Sequence, residues 1–170
     1  MRPNPCTLLP AAALAATAIF LPAAASAQSQ VSTSQLKVTL AVQAECKLTS
    51  TTDLAFGTTG VIQTAVNATG TIGVQCTNTT PYNIGLNAGT GSGATVSARK
   101  MTSGSGSTIS YEIYRDTART QVWGDTVNSN TLAGTGNGAV QTHTVYGRVP
   151  AQATPAPGSY SDTVTVTVTY

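Results

Sequence analysis

Apolar and polar residues alternate with a period of two along most of this chain, and outside the N-terminal segment no stretch repeats at helical spacing. The pattern is clearest at the C-terminus. There Tyr160, Asp162, Val164, Val166, Val168 and Tyr170 alternate with Ser161, Thr163, Thr165, Thr167 and Thr169. A strand puts these sets on opposite faces, and Val, Thr and Tyr are favoured in strands, so one strand is predicted over residues 160–170. The same parity runs near the other end. Leu36, Val38, Leu40, Val42, Ala44 and Cys46 share one face, and Lys37, Thr39, Gln43 and Glu45 share the other. Further strands are predicted at Ile72-Val74-Cys76, at Tyr82-Ile84-Leu86, at Ile109-Tyr111-Ile113 and over residues 140–149. Breaker-rich segments separate them, at residues 77–81, 87–93, 103–107, 134–138 and 151–158. Short strands spaced by such segments predict an all-β sandwich, not an α/β fold.

The N-terminal segment departs from this pattern. Arg2 supplies a positive start, residues 8–21 form a short Ala-rich apolar stretch, and Ala25-Ser26-Ala27 offers the small-residue site that a signal peptidase needs. The stretch is too short, and too interrupted by Pro10 and Pro22, for a membrane span. Residues 1–27 are therefore expected to be a signal peptide, a retained anchor being the alternative. Residues 28–170 suit one domain with a single core.

Export changes how the cysteines are read. Cys6 leaves with the signal, while Cys46 and Cys76 remain, each on the apolar parity of its own strand. In an oxidising compartment such a pair is expected to form a disulfide. Closing a loop of about 30 residues contributes roughly 3–4 kcal/mol in the chain-entropy model. Two free thiols, or half a metal site, are the alternatives. A single His143 and the lack of Cys-x-x-Cys spacing count against metal.

Charge is sparse. Eight basic and six acidic side chains give a formal net charge of +2, and no run of Lys or Arg is present to neutralise phosphates. Nucleic acid is not an expected partner. Nor do the residues assemble a catalytic set. There is no Gly-x-Ser-x-Gly elbow, His143 sits in a Thr-rich strand-like run, and six scattered acids give no facing carboxylates. Trp123 is read as a packing residue and Asp116 as a turn residue bonding its own backbone. Arg115 and Arg119 are read as surface ion-pair partners of Asp116 or Asp125. The chain is expected not to be an enzyme and to use no cofactor or metal.

The N-terminal alternating run is unusually long. Residues 36–46 would span about 36 Å when fully extended, whereas a typical strand has about 5–6 residues. Either the chain bends from one sheet into the other, as sandwich strands do, or its first half leaves the domain. The pattern alone leaves both open.

The run ending in Cys46 is followed by Leu54-Ala55-Phe56-Gly57 and Val74-Gln75-Cys76. Next come Tyr111-Glu112-Ile113-Tyr114-Arg115-Asp116, Arg119 and Trp123-Gly124, and after a Pro-rich loop Gly158-Ser159-Tyr160-Ser161-Asp162-Thr163-Val164. In order and spacing these pieces resemble the spore coat protein U domain family, found in subunits of archaic (Csu-type) chaperone–usher pili. The resemblance implies an immunoglobulin-like β-sandwich that lacks its last strand and is completed by donor-strand exchange. Residues 28–45 would be an N-terminal donor segment running into the first strand, and residues 46–170 the pilin domain. Leu36, Val38, Leu40 and Val42 would be the donor plugs; burying them would contribute roughly 6–12 kcal/mol before ordering costs. Val164, Val166, Val168 and Tyr170 would form the groove edge that faces the chaperone, and the chain stops there without a further strand.

The implied partners are a periplasmic pilus chaperone, an outer-membrane usher and neighbouring pilin subunits. The implied location is the periplasm and then the cell surface, in a pilus supporting adhesion and biofilm formation. A spore coat or other extracellular coat protein using the same fold is the alternative, as is a minor subunit binding a surface directly. A tip adhesin is expected to carry an extra binding domain ahead of the pilin domain, so the length favours a shaft or minor subunit.

Overall fold

The computed structural model describes residues 27–170. The expected signal peptide, apart from Ala27, lies outside the described residues. Contacts divide the chain after Thr39, and the compact unit runs from Leu40 to Tyr170. Within that unit the described residues form nine strands: β1 (Cys46–Thr51), β2 (Val66–Cys76), β3 (Pro81–Leu86), β4 (Arg99–Ser103), β5 (Thr108–Tyr114), β6 (Leu132–Thr135), β7 (Val140–Val149), β8 (Tyr160–Ser161) and β9 (Val166–Thr169). Every pairing is antiparallel. One sheet has six strands in the order β1-β2-β7-β5-β4-β8, and the other has three in the order β6-β3-β9.

The alternation read from the sequence explains the core. Ile72, Val74 and Cys76 from β2 join Tyr82, Ile84 and Leu86 from β3, Tyr111 and Ile113 from β5, and Val145 and Val149 from β7. Trp123 is fully buried among them and donates its indole N–H to the Ile84 carbonyl at 2.8 Å. It is a packing residue, as expected. Asp116 accepts from the Thr120 and Gln121 backbone N–H groups, closing the turn after β5 as the sequence predicts.

Four expectations need correction. The terminal strand is not continuous: β8 pairs with β4 in the large sheet, β9 pairs with β3 in the small one, and residues 162–165 between them are not strand. The break has a chemical cause in Asp162 and Asn87, described below. Second, β4 and part of β6 fall where breakers or nothing had been read; Gly134 and Thr135 pair with Tyr82 and Pro81. A Cβ at Gly134 would lie 2.4 Å from the Tyr82 ring, so a glycine is used there for close packing rather than for a turn. Third, Arg115 and Arg119 are not in ion pairs. Arg115 donates to Gln121 Oε1 and the Thr131 carbonyl, while Arg119 donates to the Gly147 carbonyl and lies over the Tyr146 ring. Fourth, of residues 36–46 only Cys46 is in a strand. The long run is not spread across two sheets.

Candidate functional site: an open groove beside the last strand

The small sheet ends on β9, which makes a ladder with β3 alone, and the large sheet ends on β1, which makes one with β2 alone. β1 and β9 come within 8 Å of each other between Cα atoms, yet no ladder joins them. Both edges therefore present unpaired backbone groups along one seam of the sandwich.

Beneath the seam the core is open. Val166 and Val168 on β9, with Val164 just ahead of it, are half-buried and pack against the core. Tyr170, expected to continue this face, lies beyond the strand and is 59% exposed. Leu48 of β1, on the parity of Cys46, is 43% exposed. A cleft of about 550 Å³ is lined by Ile72, Leu86, Tyr111, Ile113, Val164 and Val166. A second, of about 990 Å³, is lined by Ile62, Val66, Ile109, Val149, Pro155 and Pro157. Leu54, Phe56, Met101 and Tyr160 line both, so the two clefts form one groove. Leu54 and Phe56 can lie against β7 because Gly147 has no side chain; a Cβ there would stand 2.6 Å from Leu54 and 2.9 Å from Phe56. Phe56 meets Tyr111 edge-on, with ring centroids 6.1 Å apart.

A polar station interrupts this apolar wall where the terminal strand breaks. The Asp162 carboxylate accepts from the Thr90 N–H (2.7 Å), the Thr90 hydroxyl (2.8 Å), the Tyr111 hydroxyl (2.7 Å) and the Thr163 N–H (2.8 Å). Burial works against its charge, but these donors outweigh burial and hold its pKa below the usual carboxylate value. Burial and the Asp162 contact both push the Tyr111 hydroxyl up. Next along the chain, Asn87 Oδ1 accepts from the Thr165 N–H at 2.9 Å. Side chains thus take bonds that a continuous strand would give to its neighbour.

Behind the station Arg99, the first residue of β4, is fully buried with no carboxylate in contact. Its guanidinium donates instead to the carbonyls of Asn87 (2.9 Å), Val96 (2.7 Å), Leu86 (2.9 Å) and Trp123 (2.8 Å). Burial lowers its pKa, offset in part by Tyr111, Asp125 and Asp162. A side chain of the large sheet is thereby tied to the carbonyl end of β3 in the small one. Sequence reading missed Arg99, Met101 and the Leu54–Phe56 lining. For the last of these the Leu54-Ala55-Phe56-Gly57 motif was the available signal.

At the other end of β1, Cys46 and Cys76 form a disulfide as direct register partners, with their Cα atoms 4.1 Å apart. Cys76 is buried and Cys46 half-buried, so the bridge belongs to the core. One step earlier, the Thr77 N–H donates to the Glu45 carbonyl (2.9 Å) and the Glu45 N–H donates to Thr77 Oγ1 (3.1 Å). Ahead of that point Leu36, Val38, Leu40 and Val42 belong to no strand and are 88%, 84%, 90% and 77% exposed. His143, the one candidate base, contacts the Tyr82 hydroxyl through Nε2 at 2.9 Å, and burial lowers its pKa.

Fold and groove together define an antiparallel β-sandwich with one strand position unfilled. The chain belongs to the Spore Coat Protein U domain family, which matches residues 32–167. It is similar to Protein U of Myxococcus xanthus, with 36% identity over 107 residues, covering 60% of this chain and 59% of that protein. Its fold is similar to a chain in the crystal structure of the CsuC–CsuE chaperone–tip adhesion subunit pre-assembly complex, from archaic chaperone–usher Csu pili of Acinetobacter baumannii. The TM-score is 0.54 at 25% identity, and the match covers 76% of this chain and 40% of that one. The chain thus spans well under two thirds of the length of either protein.

Proposed function

We propose that this chain is a structural subunit of a surface pilus assembled by the chaperone–usher pathway through donor-strand exchange. The observation that carries the reading is a pairing of opposites in one molecule. An apolar groove lies beside an edge strand that is paired on one side only, and an alternating segment, residues 36–42, exposes four large apolar side chains outside any strand. The occupant of the groove is residues 36–42 of a second copy. Strand addition of this kind takes affinity from main-chain hydrogen bonds and specificity from alternate side chains. Before assembly the same groove is filled by a periplasmic chaperone, and an outer-membrane usher exchanges the two; the likeness to a subunit in a chaperone pre-assembly complex supports both partners. Export through the signal peptide at residues 1–27, and a role in adhesion and biofilm formation, follow from this reading, as does a structural rather than catalytic task.

The family's description favours a second reading, an extracellular coat built by the same strand addition. Removing residues 28–42 tests what both share. The shortened chain is expected to form no fibres, yet to gain thermal stability from a synthetic peptide of residues 34–45. Normal polymers from the shortened chain would overturn the donor assignment. Electron microscopy of surface fibres, with peptide identification of this chain, separates pilus from coat.

A further inference from the structure

We infer that the Cys46–Cys76 bridge is a mechanical clip, carrying tension from the N-terminal segment directly into an inner strand of the large sheet. This rests on the proposed donor role of residues 36–42. If those residues are held in a neighbour, any pull on the polymer reaches this body through Glu45.

The strand that receives the pull is poorly suited to it. β1 is six residues long, it is an edge strand with β2 as its single ladder partner, and apart from Cys46 its residues are exposed. A bulge between Leu48 and Ser50 already interrupts its register. Pulled from its first residue, such a strand can peel from β2 one bond at a time. The disulfide occupies the position where peeling would start, since Cys46 opens β1 and faces Cys76, the last residue of β2. The force that passes Glu45 and its two contacts with Thr77 therefore enters a covalent bond before it reaches the β1 ladder. From Cys76 it passes into β2, which is flanked on both sides and paired with β7 from Val66 to Gln75. The Thr77–Thr80 turn that adjoins the clip is itself braced. The Thr79 N–H donates to the Gly136 carbonyl at 2.9 Å, and the Gly136 N–H donates to the Thr80 carbonyl at 2.8 Å.

Single-molecule pulling on the full mature chain tests the clip. One handle sits on the β4–β5 turn at Ser105 in every arm. The other is placed either at Gln35, ahead of the bridge, or at Asp53, beyond β1. Pulled from Asp53, β1 is loaded from its unclipped end and is expected to peel from β2 in an early, low-force event. Pulled from Gln35, the oxidised chain should show no such event and should first yield at higher force. Replacing both cysteines (Cys46→Ser with Cys76→Ser) should restore the early event in the Gln35 arm. Equal first-yield forces from Gln35 and Asp53 would overturn the inference, as would an unchanged Gln35 trace in the serine pair. If the serine pair does not fold, the Gln35–Asp53 comparison decides alone, because both arms keep the disulfide. The readout needs no polymer, so loss of the clip and loss of donor exchange are separate results.

Discussion

Arg99 shows how much of this domain depends on a residue that its sequence surroundings do not mark. It follows Val96-Ser97-Ala98 and precedes Lys100, a context that suggests an ordinary exposed cation. Its burial comes from topology, which brings the carbonyls of Leu86, Asn87 and Trp123 together around the start of β4. Arg99→Met leaves four carbonyl acceptors without that donor fork, and buried acceptors left unpaired cost about 1–3 kcal/mol each. A loss of at least about 3 kcal/mol in urea unfolding is expected on that basis. Arg99→Lys should recover only part of it, because an ammonium lacks the planar fork. A Met variant as stable as wild type would show that Arg99 does not hold the sheets together. Residues on a clean alternation were easier to read. Cys46 and Cys76 were placed on inward faces by parity alone, and they meet there. Arg115 and Arg119 were misread because charge proximity in sequence favours ion pairs, whereas loop carbonyls of Thr131 and Gly147 offered acceptors in fixed positions.

At the scale of elements, β2, β3, β5 and β7 were legible because each carries several apolar residues at period two between clear breakers. β4 was not, since Arg99-Lys100-Met101-Thr102-Ser103 has a single apolar side chain. The terminal run was legible as β structure but not as two pieces. Its apolar parity carries one polar residue, Asp162, but the partners that turn it into a break, Thr90 and Tyr111, lie far away in sequence, as does Asn87. This break makes a pH prediction. A carboxylate whose folded pKa lies below its unfolded value stabilises the fold fully above the unfolded value, near 3.8, and loses that contribution as pH falls through the folded one. Asp162→Asn should therefore be less stable than wild type at neutral pH, and the gap should narrow as the solution is acidified below about pH 4. Thermal melting across pH reads this directly, and a gap that ignores pH would mean that the charge on Asp162 does no structural work.

For the whole molecule, the proposed plugs at residues 36–42 and the groove beside β9 are made of different residues, so under the proposed donor role contact between copies would be head-to-tail rather than self-matching. A head-to-tail contact gives an open polymer unless its rotation happens to close a ring. The alternation of residues 36–42 was readable from sequence and the groove edge at Val164, Val166 and Val168 only through the family resemblance, whereas the part played by β1 was not, because it comes to lie near β9 only after the chain has folded. The two halves can be disabled separately. Leu40→Asp puts a carboxylate on a side chain proposed to enter the groove, and Val166→Asp puts one into the wall of that groove. Burying either without a partner is strongly unfavourable, so neither variant alone should assemble. The first keeps an intact groove and the second an intact plug, however, so one joint remains possible between unlike partners. Mixing the purified variants should give dimers and nothing longer, because the second joint of any trimer would need a disabled surface. Mass photometry distinguishes this from a symmetric contact, for which the mixture would behave like its separate components. Dimers in either variant alone, or long polymers in the mixture, would remove residues 36–42 and β9 as the two halves of the joint.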